Sequence, residues 1–124
     1  MQLNTARVFV RDIAQARQFY GHRLGLALKA DGSAQGSCVF SAGGMDLVVE
    51  SVADDAPDED RLLVGRFTGL SFAVQDAAAT HRQLLALGVP FTGLPEKQFW
   101  GGIVATLQDP CGNELQICES PRVS

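Results

Sequence analysis

The sequence predicts an α+β domain of two βαβββ modules, their strands forming one curved, cup-shaped mixed sheet with both helices on its outside. Two observations carry that expectation. A strand-then-helix segment occurs twice: "VRDIAQARQFYGHRLGL" at residues 10–26 has its counterpart in "VQDAAATHRQLLALGV" at residues 74–89. Val10 and Asp12 recur as Val74 and Asp76, an offset of 64, and Leu24-Gly25 recurs as Leu87-Gly88, an offset of 63. Strand-like runs follow each helix, and a sheet with its helix on one face leaves the other face free to form a concave site. The length, 124 residues, suits one compact domain.

The first element is the strand-like "ARVFV", followed by Asp12 in position to N-cap a helix of about three turns, with Gln15 completing a capping-box spacing. Ile13, Ala16, Phe19, Tyr20 and Leu24 then share one helical stripe, and Gly25 suits the left-handed position that stops the helix. The strands "GSCVFS" and "MDLVVESV" follow, separated by a turn at Gly43-Gly44. Module 1 therefore covers about residues 1–53. A linker spans about 54–65, its acidic front at 54–60 reading as an exposed loop. Module 2, about residues 66–120, repeats the plan. It has "GLSFAV", Asp76 as cap, the Leu84/Leu85/Leu87 cluster and Gly88 as stop. "VPFTG", "GIVATLQ" and "ELQICE" are its later strands, the last two joined by the turn Asp109-Pro110-Cys111-Gly112.

Composition narrows the function classes. Hydrophobic residues make up 46% and charged residues 19%, with a net charge of −4 and no basic run, which argues against a nucleic-acid partner. No apolar stretch reaches the roughly 18 residues of a membrane span. The start, "MQLNTARVFVRD", lacks a charged region ahead of an apolar block, so no signal peptide is expected and a cytoplasmic location is the default. Cys38, Cys111 and Cys118 are an odd count without CxxC spacing, against a disulfide framework or zinc knuckle. Cys38 and Cys118 read as small buried hydrophobes, and Cys111 as the exposed one.

"VFVRDIAQARQFYGHRLGL", the second "LSFAVQD" and the closing "DPCGNELQI" resemble the vicinal oxygen chelate superfamily: glyoxalase I, the bleomycin-resistance proteins and the extradiol dioxygenases. The resemblance covers essentially the whole chain. It implies paired βαβββ modules, a cup-shaped sheet and a homodimer. Metal-dependent members carry four ligands, one on the first and last strand of each module. Carried over by position, those places hold Thr5, Glu50, Gly69 and Gln116. Only Glu50 is a good ligand. Gln116 offers a neutral carbonyl, Thr5 a weak hydroxyl and Gly69 no side chain, whereas zinc, nickel or iron sites take nitrogen, sulfur or charged oxygen from at least three side chains. Both histidines, His22 and His81, fall on the helices. No metal or other cofactor is expected; the alternative is a divalent metal recruited through Glu50, Gln116 and waters.

Strand alternation groups the side chains of the inner face. Thr5, Arg7 and Phe9 point inward from the first strand, and Asp46, Val48 and Glu50 from the last strand of module 1. Gly69, Ser71 and Ala73, then Glu114, Gln116 and Cys118, do so in module 2. Arg7 either contacts a ligand with its planar fork or pairs with Glu50 or Glu114 and stabilises the sheet. In "LPEKQFWGG", residues 94–102, Lys97 and Trp100 either cap a ligand at the rim or pack a dimer interface or loop core. Arg66 is a weaker candidate.

These features predict a protein that binds a small organic molecule through Arg7, Phe9, Glu50, Ser71, Lys97, Trp100 and Gln116, without the family metal, in a sequestering or resistance-type role. The alternative is a superfamily enzyme, a lyase, isomerase or dioxygenase, with Glu50 as the candidate catalytic base. A third reading is a dimeric interaction module with no ligand.

Overall fold

β1, Thr5–Val10, opens the chain, burying Val8 and Val10 while Thr5 and Arg7 stay exposed. The Asp12 carboxylate accepts the Gln15 N–H at 3.1 Å and caps α1, Ile13–Gln18, as its sequence position requires. The helix does not continue as α: Phe19–Arg23 is a π-turn in which Leu24 N–H reaches back to the Phe19 carbonyl at 2.9 Å. The wider turn keeps Phe19 and Tyr20 both buried, their rings edge to face at 5.0 Å, with Tyr20 also against Phe40.

A computed structural model describes residues 1–122 of the chain. They form two units, residues 1–66 with 110–113, and residues 67–109 with the chain from 114 on. In the first unit, β1, β2 (Ala27–Gly32), β3 (Ser37–Ala42) and β4 (Met45–Ser51) form a mixed sheet of order β1-β4-β3-β2. β1 and β4 are parallel, with Thr5 opposite Asp46, Arg7 opposite Val48 and Phe9 opposite Glu50. β2 has no counterpart among the strand-like runs of the sequence: Ala27–Asp31 are all exposed and show no alternation. The core under the sheet is Val8, Val10, Ala16, Phe19, Tyr20, Cys38, Phe40, Leu47 and Val49. Burial pushes the Cys38 thiol pKa up, and the neighbouring Asp31 carboxylate adds to the shift.

The acidic stretch after β4 is exposed but ordered. It contains a short helix, α2, Asp58–Arg61, and Val64 then bridges Phe9 in parallel. Residues 110–113 complete the unit. Fully buried Asn113 donates to the Phe9 carbonyl at 2.8 Å and accepts the Gly65 and Arg66 N–H groups at 2.8 and 3.3 Å.

The second unit repeats the plan with β5 (Phe67–Val74), α3 (Ala77–Ala86), β6 (Glu96–Lys97), β7 (Ile103–Gln108) and β8 (Glu114–Glu119), in sheet order β5-β8-β7-β6. Asp76 caps α3 through the Ala79 N–H at 3.0 Å. The glycines following both helices, Gly25 and Gly88, lie at φ 75° and 83°, the left-handed stop expected of them. Glu119, buried at 6% exposure, accepts the Ala77 N–H at 2.9 Å. "VPFTG" is not a full strand. Pro90, Gly93 and Pro95 break it, leaving the Phe91–Leu107 bridge and then the two-residue β6. His81 is buried with its ring 4.5 Å from that of Phe91. Within the described residues no helix is long and apolar enough to cross a membrane.

Candidate functional site

In the first unit the register sorts the side chains as the alternation predicted. Leu47 and Val49 are buried toward α1, while Asp46, Val48 and Glu50 lie with Arg7 and Phe9 on the open face. Arg7 Nη1 meets Glu50 Oε1 at 3.2 Å. Because Arg7 stands opposite Val48, this pair reaches diagonally, two residues along the ladder. The Lys29 ammonium binds both Asp46 carboxylate oxygens at 3.0 and 3.1 Å across β3. The two ion pairs thus end on either side of Val48 along β4, one reaching it from β1 and the other from β2. With side-chain exposures of 61% and 32%, Arg7 and Glu50 keep much of their hydration, so the pair contributes under about 1 kcal/mol. Part of this face opens into a cavity of about 270 Å³ lined by Phe9, Glu50, Ser51, Val52, Ala56, Asp60 and Leu63 among others. Ala56, Asp60 and Leu63 come from the segment that reads as a plain linker in the sequence; their contribution carries no local signal, since backbone bonds hold that segment in place.

The second unit's open face is built differently. Ser71 stands opposite Gln116 and Ala73 opposite Cys118. Thr106 lies on the other side of Gln116, whose amide donates to the Thr106 hydroxyl at 3.3 Å. The Gln108 amide donates to Glu114 at 3.3 Å. Cys118 is half-buried on this face, not a core residue as its apolar flanks suggested. Gly69 sits at φ 75° in an irregularity of β5 between Phe67 and Ser71, a conformation in which a side chain is strained. Thr68 closes the irregularity by donating to the Glu114 carbonyl at 2.8 Å.

Lys97 and Trp100 do not join Ser71 and Gln116. Lys97 pairs with Ile103, which pairs with Glu119, so it is on the helix-side face of the sheet, opposite to Gln116. Trp100, 45% exposed, lays its ring on Gly102: a Cβ there would lie 1.9 Å from the indole. The Gln98 N–H donates to the Gly102 carbonyl at 2.7 Å and closes the 98–102 turn. Arg66 is exposed, and its backbone N–H is fixed by Asn113.

The donors at the family ligand positions do not fit a divalent metal. The Thr5 hydroxyl donates to Asn4 Oδ1, Glu50 holds Arg7, Gly69 brings no donor, and the Gln116 amide holds Thr106. Among the described residues no group of three His, Cys, Asp or Glu side chains is placed to bind a metal ion.

The structure is similar to that of a member of the glyoxalase/bleomycin resistance protein/dioxygenase superfamily from Sphaerobacter thermophilus DSM 20745. That comparison has 25% identity and a TM-score of 0.79, covering 97% of this chain and 98% of the other. Lactoylglutathione lyase from Agrobacterium tumefaciens shares the fold at 18% identity and TM-score 0.75, over 96% of this chain and 93% of that one. A glyoxalase/bleomycin resistance protein/dioxygenase from Nocardioides does so at 17% identity and TM-score 0.73, over 100% and 86%. No curated protein matches the sequence significantly. The family model for the Glyoxalase/Bleomycin resistance protein/Dioxygenase superfamily matches residues 2–117, and the chain belongs to that superfamily.

Proposed function

We propose that this superfamily member binds a small organic molecule on the open face of its first unit, without a bound metal, in a sequestering or resistance-type role. The observation that supports this most is the cavity of about 270 Å³ that takes in Phe9 and Glu50. Phe9, Val52 and Leu63 give it apolar wall, and the carboxylates of Glu50 and Asp60 give it polar anchors. Glu50 is already oriented by Arg7, so a ligand meets a carboxylate with restricted freedom. The donor set at Thr5, Glu50, Gly69 and Gln116 favours the metal-free form.

A thermal-stabilisation screen of small organic molecules tests the reading. Hits should bind one per chain, and Glu50→Gln should weaken them about tenfold while leaving the unfolding transition in place. Ligands indifferent to Glu50, Phe9 and Arg7 substitutions would remove the site. Metal retained near one equivalent after incubation with zinc, nickel, manganese or iron(II) would remove the metal-free assignment. A second reading, Glu50 as a general base, is favoured by its place in the same cavity. It requires turnover of a bound hit that Glu50→Gln abolishes. The family resemblance also leads us to propose a homodimer, which sedimentation equilibrium reads directly.

A further inference from the structure

A second cavity lies at the end of the first unit's sheet. β1 and β4 run parallel, so their carboxyl ends, Val10 and Ser51, emerge on one side. Three segments are fixed there. Arg11 follows β1, its N–H donating to Cys111 Sγ at 3.3 Å. Val52 follows β4, its N–H donating to the Val10 carbonyl at 2.7 Å. Val64 returns beyond α2 to bridge Phe9. With Ala53, Asp54 and Arg61 they line a cavity of about 310 Å³.

The lining has a definite chemistry. Val52, Ala53 and Val64 are apolar, and the lining also includes two arginines, Arg11 and Arg61, and one acid, Asp54. Arg61 engages Asp58 through Nη2 alone, leaving its other donors available. The Arg11 side chain makes no hydrogen bond or ion pair among the described residues. A guanidinium fork matches the two oxygens of a carboxylate. We propose that this cavity binds a small organic monocarboxylate, its carboxylate on Arg11 and Arg61 and its apolar body on Val52, Ala53 and Val64. Asp54 repels a second negative charge and so selects against dianions such as sulfate or phosphate. The cavity adjoins that of Glu50 and shares Val52 and Ala53 with it, but Glu50 does not line it, and Arg11 and Arg61 do not line the other.

Benzoate is the probe, titrated into ¹⁵N-labelled protein while the arginine Nε–H and the Val52 and Val64 amide signals are followed. The expected result is saturable movement of all four groups. Arg11→Gln weakens the binding about tenfold, Arg11→Lys less, and Glu50→Gln leaves it unchanged. The exposed position of Arg11 makes loss of folding in these variants unexpected, and their amide spectra report it directly. Absence of saturation, or equal displacement of benzoate by sulfate, overturns the proposal. So does loss in Glu50→Gln matching that in Arg11→Gln, which places benzoate in the other cavity.

Discussion

The two units share a plan and differ in the chemistry of their open faces. Each has an Asp-capped helix, a glycine stop and a parallel pair of first and last strands. The first face carries two ion pairs, Arg7–Glu50 and Lys29–Asp46, whose carboxylates flank Val48. The second carries amides, hydroxyls and the Glu114 carboxylate, with no ion pair on it among the described residues: Ser71 and Ala73 on β5 lie beside Gln116 and Thr106, and Gln108 donates to Glu114. The difference shows that the helix face of such a unit is fixed by packing, while the open face is free to diverge in polarity without altering the fold.

The units also differ in how their ends are tied, and the largest expected effect lies there. Asn113→Ala removes an amide that serves Phe9, Gly65 and Arg66 at once, and should cost about 3 kcal/mol in urea unfolding. A loss under about 0.5 kcal/mol would mean that water replaces it readily. Next come the equivalent last positions of β8 and β4. Glu119→Ala should cost about 1 to 2 kcal/mol, because the buried Ala77 N–H loses its acceptor. Ser51→Ala should cost under about 0.5 kcal/mol, because exposed Ser51 only donates to the Gly36 carbonyl at 3.2 Å. Equal losses would break the contrast between the two.

The open faces predict a smaller, salt-sensitive difference. Arg7→Met should lower stability by about 0.5 kcal/mol at low salt and by nothing measurable near 1 M NaCl, where screening is short-ranged. Gln116→Met should show no such dependence, its partner being a neutral hydroxyl. Smallest is an acid effect confined to the first unit. Hydrogen bonds from Ser33, then Arg17, hold Asp31 down to about 2 from 3.8. Its contribution is complete above the unfolded value and is lost as pH falls through the folded one. The stability difference between wild type and Asp31→Asn should therefore shrink between about pH 4 and pH 2, as read by acid titration of the far-UV signal.

What the sequence disclosed were features with a local cause. Asp12, Asp76, Gly25 and Gly88 act within a few residues of themselves, so their spacing alone identified them. Alternation placed Glu50 and Gln116 on open faces because each strand has one buried side. β2, which the βαβββ plan requires, could not be placed along the chain because neither of its sides is buried, leaving no pattern to read. The ordered course of residues 52–64 escaped because its ties are backbone bonds, such as Val52 to Val10, which any residues would make. Lys97 was grouped with Gln116 for want of a register; two residues of β6 decide its side of the sheet.

The Asn113 side chain meets the Phe9 carbonyl across 104 positions of chain. During synthesis the first unit therefore has its four strands and its helix long before it has its final tie, which must wait until residue 113 has left the ribosome. A chain truncated after residue 70 should be protease-sensitive around residues 63–66, where the full chain, with its closing turn in place, is resistant. Dividing the gene at the repeat boundary would not yield two self-sufficient halves, because the upstream product lacks the residue that locks it.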